Sequence, residues 1–410
     1  MRESLREGER RTKEKDMLHL NRGALENAEK LEKQESGERE GTGIPQDQAL
    51  SFHRPRPISL TAIHSPAHSQ GVFYREDGAP YVRLWMKNAC DVELAVGREK
   101  YIFLEVERDV WELTLELEAG YYDAVLLVDG VEVLSPWLPI GFGAGHPRNF
   151  LEIGPAAEYL ERGDAPRGKL CHEYFFSCVT GREETCLVYL PPDYEKHPDP
   201  LPVLYLQHGY GENETAWVWQ GRIAAILENL LAKGRAKPMV IVMADGMLYG
   251  TQEDVLCHAR YPEFLIRDLI PFIGRNYRVR EDREGRAVAG LSMGSMQASM
   301  AAFAHPELFA WIGLFGGFLR NYIGVEEADG THLQEALRDP ESFFGQNRLL
   351  FRSIGREDVF FRFFLEEDQI CSDNGIPCVR RVYEGGHDWN VWRRSAHDFL
   401  QLLFQEEKRE

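Results

Sequence analysis

From about Ile58 apolar and polar residues alternate with period two in a series of short runs. The runs Ile58–Ile63, Tyr81–Met86, Val92–Val96, Tyr101–Glu105, Trp111–Leu117 and Tyr121–Val128 are separated by turn residues, at the spacing of a β-sandwich. In Trp111–Leu117 every odd position is apolar and every even one polar, so one face is buried and Trp111 belongs to the core. Val128-Asp129-Gly130-Val131 reads as a hairpin turn.

The period changes after Lys169. Cys171–Cys178 and Glu184–Leu190 form an expected hairpin leading into the buried strand Pro202–Gln207. Then come helix Arg222–Lys233, strand Met239–Met243, helix Pro262–Tyr277, strand Arg286–Gly290, helix Ser295–Ala304 and strand Trp311–Phe315. Strand Leu349–Ser353, helix Phe361–Asn374, strand Cys378–Tyr383 and helix Val391–Gln405 close the series. Strands alternating with helices predict an α/β unit with a mostly parallel sheet covered on both faces. Three regions follow: a charged, mobile tail over 1–50, a β-sandwich over 55–155, and an α/β unit over 165–408, joined by a Gly- and Pro-bearing linker at Gly154–Gly168.

Charge sharpens this division. Of the net −19, the first 48 residues hold ten Lys/Arg against twelve Asp/Glu, so −17 lies on the remainder. An acidic balance argues against a protein built to grip nucleic acid. No apolar stretch approaches the roughly 18 residues that a spanning helix needs, and MRESLREGERRTKEKD has no apolar run. Seven cysteines without a CxxC pair fit free thiols in a reducing cytoplasm.

The strongest chemical signal is Gly290-Leu291-Ser292-Met293-Gly294. An apolar strand (Ala287-Val288-Ala289) leads in and a small-residue helix leads out, the setting in which a serine is held in a strained turn with its oxygen exposed. The flanking glycines leave room for neighbouring backbone. A nucleophilic serine needs a base, and the base an orienting acid. His387, after Gly385 and Gly386, follows strand Cys378–Tyr383; Asp358, with Glu357 as rival, follows strand Leu349–Ser353. Both loops lie at the carboxyl ends of expected parallel strands, where such sheets place their sites. Asp388 reads as a solvated loop residue, while His305 and His397 read as surface or satisfied core histidines. Strand Pro202–Gln207 ends in His208-Gly209-Tyr210-Gly211. There the Tyr210 amide, with that of Met293, is expected to hold an oxyanion, and His208 to be structural.

At this point the chain resembles the esterase D-like α/β-hydrolases of carbohydrate esterase family one, which include feruloyl and acetylxylan esterases, and their enterochelin esterase relatives. LVYLPPDY, LPVLYLQHGYGENETAW, GRIAAILENLLAKGRAKPMVIVMADG, DREGRAVAGLSMGS and GGHDWNVWRRSAHDFLQ carry the resemblance, from about Glu173 to Leu403. It implies the family's nucleophile at Ser292, its acid at Asp358 and its histidine at His387, with no metal or organic cofactor. Ser295 departs from the glycine that many relatives carry after SMG, and is expected to narrow the space beside the nucleophile. LEAGYYDAVLLVDGVEVLSP resembles the immunoglobulin-like, glycogen-binding-like domains that precede such esterases, some of which bind glycan. Trp137 and Tyr121 are the aromatics open to that role.

The expected activity is serine-dependent hydrolysis of acyl esters of sugars, feruloyl or acetyl in type. A siderophore trilactone, or acyl transfer on the same fold, is the alternative, and a non-catalytic scaffold is the reading from a different class. Trp219, Tyr249, Phe318 and Trp389 are pocket candidates, with core packing the alternative for each. The expected partner is a small-molecule or oligosaccharide ester, with neither nucleic acid nor membrane, and a homodimer is admitted as the assembly.

Overall fold

The computed structural model describes residues 70–405 apart from 98, 155–156, 161–164, 250–257 and 323–329. The charged segment 1–50, the expected strand Ile58–Ile63, Cys257 and part of the expected linker lie outside the described residues.

The period-two segments form two sheets. One has the order β1 (Gly71–Tyr74), β2 (Pro80–Trp85), β6 (Val110–Thr114), β5 (Leu104–Glu107). The other runs β4 (Glu99–Ile102), β3 (Val92–Val96), β7 (Gly120–Val128), β10 (His146–Ile153), β9 (Ile140–Gly143), with β8 (Val131–Val133) paired to β7. Val82, Leu84, Val92, Leu94, Trp111, Leu113, Leu126 and Leu151 share one core between the sheets. Period two places alternate residues on that inner face.

The strand expected over Tyr101–Glu105 is instead two strands in opposite sheets. Phe103 is buried and donates its amide to the Val92 carbonyl at 2.9 Å. Ile102 and Leu104, on either side, are exposed. Tyr101-Ile102-Phe103-Leu104 is an unbroken apolar run in sequence, so nothing in the pattern marks where the chain changes sheets.

The α/β unit is built on an eight-stranded sheet. Its order is β11 (Lys169–Ser177), β12 (Arg182–Leu190), β14 (Val240–Ala244), β13 (Val203–Gln207), β15 (Arg286–Leu291), β16 (Trp311–Phe315), β17 (Leu349–Gly355), β18 (Val379–Tyr383). β11 and β12 form an antiparallel hairpin, β12 meets β14 antiparallel, and from β14 to β18 all neighbours are parallel. Val203 and Tyr205 enter one apolar cluster while Leu204 and Leu206 enter another, so β13 is buried on both faces. That two-sided burial explains the continuous apolar runs of the central strands. Helices α1 (Ala216–Trp219), α2 (Ile223–Ala232) and the last helix, Trp389–Leu402, cover one face.

The helix expected over Pro262–Tyr277 is three pieces: α3 (Tyr261–Phe264), a π-helical turn Leu265–Leu269, and α4 (Ile270–Asn276). Pro271 has no amide to donate back along the helix, and the ladder widens just ahead of it. α5 (Met293–Ala304), α6 (Thr331–Ala336), α7 (Pro340–Gly345), α8 (Phe361–Asp373) and α9 (Trp389–Leu402) complete the described helices. Among the described residues no helix is long and apolar enough to cross a membrane.

The sandwich is fastened to the α/β unit by polar contacts. The Tyr121 amide donates to Asn390 Oδ1 at 2.7 Å, and Asn390 Nδ2 donates back to the Tyr121 carbonyl at 3.0 Å. Glu152 accepts from Arg222 at 2.9 Å and from Arg393 at 2.8 Å. Burial alone would raise the Glu152 pKa, but the two guanidiniums hold it below its ordinary value. The tip of the β9–β10 hairpin reaches the α/β unit through Gly145, whose amide donates to the Gly211 carbonyl at 2.8 Å.

Candidate active site

β13 has β14 on one side and β15 on the other, so the strand order reverses there and a crevice opens at the carboxyl edge. Six parallel strands end at this edge, and four of the loops that leave it follow β13, β15, β17 and β18. They carry His208–Glu212, Ser292, Asp358 and His387.

Ser292 occupies the single residue between β15 and α5, at φ 50° and ψ −117°. A non-glycine residue in this region is strained and persists only where its surroundings over-determine it. Here the Ser292 amide donates to the Phe315 carbonyl at 2.9 Å, and Ser295 Oγ donates to the Ser292 carbonyl at 2.6 Å. A Cβ on Gly290 would collide with the Gly294 backbone, and one on Gly294 with the carbonyls of Gln207 and His208. The turn can be this tight only with glycine at both positions.

His387 Nε2 lies 2.9 Å from Ser292 Oγ, and its Nδ1 lies 2.7 Å from Asp358 Oδ2. Asp358 is buried, and its second oxygen accepts the Phe360 amide at 2.8 Å. The carboxylate is thereby oriented from both sides. Its sequence rival, Glu357, is exposed. The imidazole is walled edge-on by the rings of Phe360 and Trp392, each with its centroid 5.0 Å away. Asp388 is not a solvated loop residue: it caps α9, accepting the Asn390 amide at 2.9 Å and that of Val391 at 3.2 Å. A carboxylate at a helix N-terminus satisfies amides that have no partner within the helix.

The loop after β13 is braced from below. His208 is buried, accepts the Gly246 amide at Nε2 (2.9 Å) and lies 3.3 Å from Asp245. Glu212 is also buried; it accepts the Gly209 amide at 2.8 Å and Trp389 Nε1–H at 3.0 Å. Burial pushes the Glu212 carboxyl up to about 7. Tyr210 stands at the rim, 62% exposed. Met293 is the first residue of α5, where an amide has no acceptor within the helix.

Ser292 and His387 open onto a cavity of about 310 Å³. Tyr210, Glu212, Asp388, Trp389 and Trp392 contribute to its wall from the α/β unit, and Asp123, Gly143, Ala144 and Arg148 from the sandwich. Of the four aromatic candidates, Trp389 lines the cavity. Trp219 packs partly buried against the core of the α2/α9 face, Phe318 is fully buried against Phe360, and Tyr249 lies beneath the Arg182 guanidinium, none of them in the wall. Ser295 is also absent from the wall; its hydroxyl accepts the Phe318 amide at 3.2 Å, so it braces the turn and does not narrow the pocket. Tyr121 is buried at the junction of the two parts and Trp137 packs on the sandwich core, so neither forms an open platform. His305 pairs with Glu307 at the surface, and His397 with Asp398. Glu212 and the four sandwich residues carry no signal of the site in sequence. Glu212 sits inside the quoted HGYGENETAW run without a spacing that singles it out, and nothing local ties Arg148 to a serine 144 positions later.

Residues 177–348 match the family described as putative esterase. An endo-1,4-beta-xylanase/feruloyl esterase of Xylanibacter ruminicola is 32% identical across 88% of this chain, and the chain spans 49% of that protein, about half its length. A ferulic acid esterase from Anaeromyces mucronatus, solved in complex with ferulic acid, superposes with a TM-score of 0.52 at 24% identity, over 62% of this chain and 98% of the other. The enterobactin esterase of Shigella flexneri superposes with a TM-score of 0.57 at 16% identity, over 84% of this chain and 98% of the other. At these identities the two structures establish the fold. Residues 177–348, which hold Ser292 and the loop after β13, match the putative-esterase family model, and the chain has the α/β-hydrolase fold of its structural neighbours.

Proposed function

We propose that the protein is a serine carboxylic-ester hydrolase acting through an acyl-enzyme on acyl esters of sugars, feruloyl or acetyl in type. The observation that carries this reading is the continuous relay Ser292–His387–Asp358, at 2.9 and 2.7 Å, on a strained strand–helix turn. Ser292 Oγ attacks the ester carbonyl carbon while His387 Nε2 takes its proton. Asp358 keeps the other imidazole nitrogen protonated and stabilises the imidazolium. The negative charge on the carbonyl oxygen is received by the amides of Tyr210 and Met293. Collapse of the tetrahedral intermediate expels the alcohol, which takes the proton from His387 and leaves the acyl group on Ser292. Water then enters by the same base and releases the acid.

The feruloyl esterase relative supports the sugar-ester assignment. Trp389, in the cavity wall, is the aromatic assigned to substrate contact. We read the N-terminal sheets as an immunoglobulin-like sandwich over 55–155 preceding a hydrolase domain over 165–408. The free thiols of Cys90, Cys171, Cys178, Cys186, Cys371 and Cys378 support a reducing, cytoplasmic setting.

The test is hydrolysis of p-nitrophenyl acetate and methyl ferulate by the wild type and Ser292→Ala. The reading expects kcat to fall by roughly 10³-fold or more in the variant; retention of the wild-type rate contradicts it. Methyl ferulate, acetylated xylo-oligosaccharides and enterobactin, compared by kcat/KM, decide the substrate. Preferred cleavage of enterobactin would replace the sugar ester with a siderophore trilactone.

A further inference from the structure

The cavity wall contains an imbalance that the ester chemistry does not use. Three carboxylates line it, and each is already supplied with donors. Asp123 accepts the Tyr121 hydroxyl at 2.7 Å, Asp388 caps α9, and Glu212 holds the Gly209 amide and the Trp389 indole. The one guanidinium in the wall, Arg148, has no hydrogen bond and no ion pair among the described residues, and its Nε is shielded from solvent without an acceptor. The other shielded arginines of this region are matched: Arg222 and Arg393 both reach Glu152, on the same strand as Arg148.

The strand that carries Arg148 is held in place. It lies on β10 opposite Gly141 of β9. Next to it, buried Asn149 donates to the Ser135 carbonyl at 2.8 Å, and Phe150 packs against Tyr121 at 5.0 Å. The hairpin bearing it is tied to the oxyanion-side loop through Gly145 and Gly211, 2.8 Å apart. A guanidinium without an acceptor, carried on a braced strand in a cavity shared with a nucleophilic serine, is complementary to a planar anion.

We infer that Arg148 is a specificity residue that receives a carboxylate of the substrate, so that the sandwich selects esters bearing an acidic group within reach of the scissile bond. The inference rests on the esterase reading and deepens it by naming a substrate class, anionic esters.

Two matched pairs test it. p-Nitrophenyl hemiglutarate against p-nitrophenyl valerate places the carboxylate on the acyl side, and carboxymethyl ferulate against ethyl ferulate places it on the alcohol side. In at least one pair the wild type is expected to favour the anionic ester by tenfold or more in kcat/KM. Arg148→Gln is expected to bring that ratio within twofold of one, and Arg148→Lys to retain part of it. Binding of the same pairs to Ser292→Ala, with and without Arg148→Gln, reads the preference without turnover. A wild-type ratio below twofold in both pairs, or a preference that survives Arg148→Gln, overturns the inference. Ser292-dependent cleavage of the neutral esters in that case leaves the esterase reading standing. Absence of any cleavage, with the binding preference intact, does the reverse.

Discussion

Asp358 and Asp388 stand on consecutive loops of the carboxyl edge, one facing the imidazole and the other facing amides. That difference in partners predicts different losses. Asp358→Asn should lower kcat by roughly 10³–10⁴-fold with little change in thermal midpoint, because the imidazole loses its tautomer control and its cation its counter-charge. Asp388→Ala should instead cost about 1 kcal/mol of stability, the loss of a helix cap, and lower kcat far less. Steady-state kinetics and thermal melts of both variants check this; a larger kcat loss at Asp388 contradicts the assignment. Glu212 gives a pH test. Its folded pKa of about 7 lies above the ordinary 4.5, so between those values the folded protein keeps a proton that the unfolded chain has released. Stability must therefore fall as pH rises through this window, by on the order of 3 kcal/mol. Glu212→Gln removes this dependence. Urea unfolding should show the variant gaining on the wild type from pH 4.5 to 7, with the difference constant above; a difference independent of pH contradicts the burial argument. Ser292, His387 and Asp358 were legible because the turn motif, the chain order and the flanking glycines each leave a trace in sequence. Glu212 was not, because its role is a hydrogen bond to Gly209 and another to Trp389, 177 positions away.

At the scale of elements, the pattern located the central strands well because two-sided burial leaves uninterrupted apolar runs such as Val203–Gln207. It failed where tertiary structure interrupts a regular pattern. The apolar run through Phe103 reads the same whether the strand continues or changes sheets, and a helical period persists through the widened turn ahead of Pro271. The β15–α5 turn yields the sharpest element-level expectation. Gly294→Ala sets a methyl group against the backbone carbonyls of Gln207 and His208, neither of which is the mobile end of a side chain. The variant should lose most ester turnover and several degrees of thermal midpoint together, since overpacking of this kind costs roughly 1–3 kcal/mol. Unchanged turnover would show that the turn has slack that the geometry denies.

In the whole molecule the change of period between the β-sheets that end at Ile153 and the eight-stranded sheet that starts at Lys169 was readable in sequence, but the docking of the two was not. The Glu152–Arg222–Arg393 cluster spans 241 positions, and no local pattern records such a contact. Glu152→Ala leaves two shielded guanidiniums without their carboxylate. It should cost on the order of 2–3 kcal/mol, less than a fully buried pair because Glu152 keeps some solvent contact. Because the sandwich supplies part of the cavity wall, the same variant should raise KM more than it lowers kcat. Denaturant unfolding with parallel kinetics checks both; an unchanged KM would mean that the sandwich contributes nothing to substrate binding.

Whether Ser292 is the nucleophile of an acyl-enzyme is read out by covalent capture. The protein is treated with an alkyl fluorophosphonate and its peptides are read by mass spectrometry. One adduct is expected, on the peptide containing Ser292, with loss of ester turnover in proportion to labelling, and neither labelling nor turnover in Ser292→Ala. Full turnover after complete labelling of Ser292, or an adduct elsewhere that alone abolishes turnover, would contradict that role.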